Sequence, residues 1–187
     1  MLKLLTEEDE PMKWKTVMKK HAPEKVPPQF RKTPSADEEW RRLGRRLAIV
    51  IKDLDEDEYL IISEKKRNIF VQFSAQGSFG IRVEAVSAQF YREGVTLGRE
   101  EKKMFRALGW RRPTYVKKPG MSEPPDGSCN YYVDTVDASP SDLAELAVRT
   151  FHSVYGTRHP WSLQYRAFGS DNYEIRFPTL GLKREPK

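Results

Sequence analysis

Between Asn68 and Ser87 the chain reads NIFVQFSAQGSFGIRVEAVS, two stretches of period-two alternation separated by a short polar turn. Ile69, Val71 and Phe73 share one side of the first stretch. Phe79, Ile81, Val83 and Ala85 share one side of the second, against Gly80, Arg82 and Glu84. Successive side chains of a strand point to opposite faces, so this pattern describes two half-buried strands, over Asn68 to Ala75 and Ser78 to Ser87. A third, EYLIIS at Glu58 to Ser63, precedes them. The connections EKKR and QGS are too short for a crossover, which predicts an antiparallel meander. Such a sheet must bury its apolar face under something else, and helices are what the rest of the chain offers.

The first helix is expected over residues 36–54. Ser35 and Glu38 stand at capping-box spacing, and Trp40, Leu43, Leu47, Val50 or Ile51, and Leu54 form one stripe. Arg41, Arg42, Arg45 and Arg46 lie off that stripe and read as a solvated face, with Asp37 and Glu38 four residues before the first pair. A second helix is expected from Leu97 to Leu108, with Gly98 or Thr96 as its cap and Leu97, Met104, Phe105 and Leu108 on one face. Its end reads FRALGWRRP. Gly109 occupies the position where a left-handed residue stops a helix, Trp110 is placed to fold back, and Pro113 forbids resumption. Residues 114–128 read as a loop and Cys129 to Val136 as a fourth strand. Ser139-Pro140-Ser141-Asp142 starts a third helix whose stripe is Leu143, Leu146, Ala147, Thr150, Phe151 and Val154. Trp161 to Ala167 and Tyr173 to Phe177 are candidate edge strands.

A length of 187 residues fits one domain with an appendage. Residues 1–34 carry five prolines and little periodicity, and read as a basic arm; 35–182 form the domain and 183–187 a tail. No apolar run is long enough to span a bilayer and Cys129 stands alone, so a reducing, cytoplasmic setting is the expectation. No phosphate loop, dinucleotide fingerprint or nucleophile elbow is present. His21, His152 and His159 are too scattered for recognisable metal spacing. The expectation is therefore a non-enzymatic protein without cofactor or metal. Charge is concentrated in residues 65–120, where 13 basic groups face 4 acidic ones. Lys65, Lys66, Arg67, Arg111, Arg112, Lys117 and Lys118 border predicted element ends, and Arg82 lies on the third strand. Trp14 and Phe30 are aromatic groups on the arm. These ten residues are the candidate partner-binding set. A basic rim would suit nucleic acid, the alternative to a protein or peptide partner.

The succession VQFSAQGSFGIRVEAVS, a helix ending LGW with Pro113, CNYY, DLAELAVRTFHSVYG and HPWSLQYRAF, over about residues 68–168, resembles the bacterial TY-Chap domains common in actinobacterial proteins. Those are grouped by fold with YbjN proteins and type III secretion chaperones. Where that family usually has Pro-Pro one residue after the tryptophan, this chain has Arg111-Arg112-Pro113. The resemblance implies an α+β fold, a mainly antiparallel twisted sheet packed by helices. It also implies a chaperone-like or adaptor-like role, often as a homodimer, in which an exposed surface holds an extended polypeptide.

Overall fold

The structure is a computed structural model, and it describes residues 38–91, 97–116, 118, 120 and 127–185. Among these described residues there are three α-helices: α1 at Glu38–Lys52, α2 at Arg99–Ala107 and α3 at Pro140–Arg149. Six strands form one sheet: β1 at Glu58–Glu64, β2 at Ile69–Ala75, β3 at Ile81–Ala85, β4 at Tyr131–Thr135, β5 at Gln164–Gly169 and β6 at Lys183–Arg184. Their order across the sheet is β4-β3-β2-β1-β5-β6. Every neighbouring pair is antiparallel except β5 and β6. The predicted meander is thus present. Lys183–Arg184, read as part of a tail, supply the outermost strand.

Register decides which side chains share a face. Leu60 lies opposite Phe73, Phe73 opposite Val83 and Val83 opposite Val133, while Leu60 also meets Ala167. One row over, Ile62 aligns with Val71, Ala85, Tyr131 and Tyr165. All of these are buried, and they share one cluster with Trp40, Leu43, Leu47 and Ile51 of α1, Phe105 of α2 and Leu143, Leu146 and Phe151 from the α3 region. The three helices therefore cover a single face. On α3 the buried set is wider than its predicted stripe, adding Ala144 and Val148, because α1 crosses it closely. A Cβ on Gly44 would stand 3.6 Å from Val148.

The helix ends follow their local chemistry. Ser139 caps α3 by accepting the Asp142 amide, Asp142 returns the bond, and Pro140 fills the first position, where its missing N–H costs nothing. At the end of α2, Gly109 takes φ +91°. Its amide donates to Arg106 O at 2.9 Å, and the Trp110 amide donates to Phe105 O at 3.0 Å. That bond pair satisfies carbonyls the helix would otherwise orphan, and the accompanying apolar contact is Trp110 edge-on to Phe105. Past Arg149, α3 continues as a π-helical turn, Thr150–Val154.

Three expectations need correction. The strand predicted over Ser78 to Ser87 is only Ile81–Ala85, because Gly77–Phe79 form a 3₁₀ turn; the apparent alternation of Phe79 with Ile81 is coincidental. The strand predicted from Trp161 begins at Gln164, since Pro160 opens a 3₁₀ turn through Ser162. The strand predicted over Tyr173 to Phe177 reduces to one bridge, Phe168 with Glu174. The expected Ser35 cap lies outside the described residues; Glu38 accepts from Arg45 at 2.8 Å.

Arg67 has a structural role. From the β1–β2 turn it bonds Glu64 through two nitrogens, at 2.7 and 2.5 Å, and Thr157 at 2.8 Å, and it also donates to the carbonyl of Tyr155. It therefore pins the turn to the chain leaving the π-helical turn. The Arg67 guanidinium holds the Glu64 carboxyl below its usual range. A carboxylate with a depressed folded pKa contributes stability above its unfolded pKa, and that contribution is lost as pH falls through the folded value. Arg67→Ala is therefore expected to cost about 2 kcal/mol at pH 7. In urea denaturation the gap between variant and parent should narrow below about pH 4 as Glu64 protonates; an unchanged gap would contradict the assignment.

Candidate functional site: the open face of the sheet

The side chains pointing away from the helices form a second surface. One row runs Asp134, Arg82, Ser74, Tyr59, Phe168; the next runs Tyr132, Glu84, Gln72, Ile61, Arg166. Of these ten only Ser74 is buried, Arg166 is exposed and the other eight are half-buried; no described helix lies on the rows, while the described loop residues Arg111 and Ser128 reach their β3–β4 end. Where antiparallel sheets face water they usually carry polar residues. Here β2 contributes the polar Ser74 and Gln72, but the β1–β5 part beside them is aromatic and aliphatic. Tyr59 and Phe168, partners across β1 and β5, stack with ring centroids 5.2 Å apart and planes 16° apart. Ile61 lies beside them, and Phe70 is half-buried on the same face.

Charge frames this strip on both sides. On the β5 side, the Arg166 guanidinium sits 4.7 Å from the Phe168 centroid. On the β3–β4 side, Arg82 lies 4.9 Å and Arg111 5.8 Å from the centroid of Tyr132. Arg82 also stands 3.4 Å from both Glu84 and Asp134, and Glu84 accepts from the Ser128 hydroxyl at 2.7 Å. Guanidinium groups over ring faces fix both partners at little cost in solvation. Beside β5 the face runs into a notch of about 370 Å³, bordered by Arg166, Phe168, Asn172 and the ion pair Arg184 to Glu174 at 2.7 Å.

Part of the sheet margin is already paired among the described residues. Arg111 exchanges both backbone bonds with Tyr132 on the free side of β4, at 2.9 and 3.2 Å. On β5, Ile175 donates to Ala167 O and Glu185 to Tyr165 O.

Of the ten sequence candidates, the seven that lie among the described residues do not form one cluster. Arg82 and Arg111 meet around Tyr132 on the open face. Lys65 and Lys66 are exposed in the β1–β2 turn, separated from Arg111 by β2, β3 and β4, on the order of 15 Å at ordinary strand spacing. Arg67 is engaged as described above. Arg112 and Lys118 are exposed. Trp14, Phe30 and Lys117 lie outside the described residues. Sequence reasoning passed over Tyr59, Ile61, Tyr132, Arg166 and Phe168, although the signal was available as the outward half of each strand's alternation. Among the described residues, no three His, Cys, Asp or Glu side chains gather as metal ligands would. His152 is exposed, edge-on to Trp40 at 5.6 Å.

An antiparallel sheet with the described helices on one side and a partly apolar, arginine-framed face on the other defines a class of α+β domain. The family comparison is specific: the model of T3SS (YopN, CesT) and YbjN peptide-binding chaperone 3, TY-Chap3, matches residues 33–169, and the chain belongs to that family. Neither a search of curated proteins nor one of solved structures returned a match.

Proposed function

We propose that this protein is a non-enzymatic peptide-binding module that holds an extended polypeptide against the open face of its sheet. The observation that carries the reading is the strip of Tyr59, Ile61 and Phe168 between arginines, on the side of the sheet away from the described helices. It is supported by membership of a peptide-binding chaperone family. An extended segment presents alternate side chains to one side, which suits a flat apolar strip with polar margins. Burying that strip drives association, while Arg82, Arg111 and Arg166 set orientation. Among the described residues no helix is long and apolar enough to cross a membrane.

The test uses a short, net-neutral labelled peptide alternating phenylalanine or valine with serine. Ile61→Glu places a charge in the centre of the strip. It is expected to weaken binding about tenfold or more, while the melting temperature stays within the range of surface substitutions. Equal binding by parent and variant would remove the open face as the site.

A further inference from the structure

Away from the open face, the first two turns of α1 meet the 3₁₀ turn Pro160–Ser162 and the segment 180–182 along a groove of about 150 Å³. Its floor is apolar: Leu43 and Leu180 are buried and Leu182 is half-buried. Trp161 forms one wall and is 65% exposed. It stacks flat on His159, with centroids 4.6 Å apart and planes 10° apart. A large ring held in place and left in water is a contact surface whose ordering cost has already been met. Arg42 and Arg46, about one turn apart on α1, form the other wall. Both are exposed and neither makes a direct ion pair among the described residues; Glu38 pairs with Arg41 and Arg45 and feels Arg42 only at longer range. Glu39, the acid at the groove's margin, is engaged in an interaction of its own. The family match ends at residue 169, so the wall from 180–182 lies beyond what the family describes.

We propose that this groove is a second binding site, for an acidic peptide segment of a partner protein that carries one large apolar side chain. A space of this size takes about one benzene-sized group, hence a phenylalanine or leucine anchor. Two guanidiniums on the order of 6 Å apart along a helix match carboxylates two residues apart on an extended peptide, separated by about 6.7 Å. Arginine binds carboxylate through paired N–H donors, which gives the site its preference for acids. The site shares no residue with the open face and stands without it.

The experiment titrates the full chain into a fluorescein-labelled peptide of one phenylalanine followed by alternating serine and glutamate, read by anisotropy. The expected result is saturable binding that weakens with salt. Arg42→Glu with Arg46→Glu, or Trp161→Ala alone, should weaken it about tenfold, and Ile61→Glu should leave it unchanged. Equal binding by parent and the double arginine variant, or by a glutamine version of the peptide, overturns the proposal. The chain's own residues 4–10, LLTEEDE, have the same chemistry. A variant with Glu7, Glu8, Asp9 and Glu10 changed to their amides that binds the probe about tenfold tighter than the parent would make that segment the occupant and overturn the assignment to a separate partner.

Discussion

Trp110→Ala is expected to destabilise the fold by about 4 kcal/mol and lower the melting temperature by roughly 10 °C. Trp110 is 3% exposed although it follows the glycine that ends α2. Its ring lies edge-on to Phe105, which in turn stacks on Tyr131 with centroids 4.0 Å apart. Its indole N–H donates to the Thr150 hydroxyl at 3.0 Å, and Thr150 donates onward to Leu146 O at 2.7 Å. The residue thus ties the end of α2 to the place where α3 changes to a π-helical turn. Truncation removes a large buried ring and leaves a cavity where α2, α3 and β4 meet. Trp110→Phe separates the two contributions. It keeps an aromatic ring near Phe105 but loses the bond to Thr150, so it should cost about 1–2 kcal/mol beyond a smaller cavity penalty. Chemical denaturation measures both variants, and a loss below about 1 kcal/mol for alanine would contradict this account of the α2 terminus.

Gly80→Ala is expected to cost about 3 kcal/mol or more, by a different route. Gly80 has φ +84° and ψ −139°, a combination essentially confined to glycine. It carries the chain from the turn at Gly77–Phe79 into β3, with Gln76 donating to its carbonyl at 2.8 Å. A Cβ there would lie 2.0 Å from the carbonyl oxygen of Thr135, the last residue of β4. The Thr135 hydroxyl accepts from the Asp137 and Ala138 amides and so shapes the approach to the cap of α3. The added methyl therefore pushes apart β3 and β4 at the point where α3 is launched. Loss of soluble protein, or a melting temperature lowered by about 8 °C or more, is the expected outcome. A variant as stable as its parent would mean that the β3 entry is shaped differently.

The buried half of this protein is written locally. Ile69, Val71 and Phe73 alternate, Gly109 and Trp110 form a complete helix stop, and Ser139 with Pro140 starts α3, each legible within a few residues because period and capping are short-range effects. Gly80 is where such reading fails. Phe79 and Ile81 continue an alternation that the backbone itself breaks, and a side-chain pattern carries no record of φ. The face proposed to bind peptide is hidden for another reason. Tyr59, Ile61 and Phe168 alternate as outward residues, but their partial exposure depends on the three described helices packing on the opposite side, a decision of the whole topology. Arg67 looks like one more surface cation in a polar turn, yet Tyr155 and Thr157, which it bonds, stand 88 and 90 residues away.

The most direct measurement is backbone and side-chain NMR of the full chain titrated with the net-neutral alternating peptide. Shifts confined to the outward residues of β1, β2, β3 and β5, with Tyr59, Ile61, Gln72 and Phe168 among the largest, are the result predicted here. Shifts centred on the helix layer, with those four residues unmoved, would contradict it.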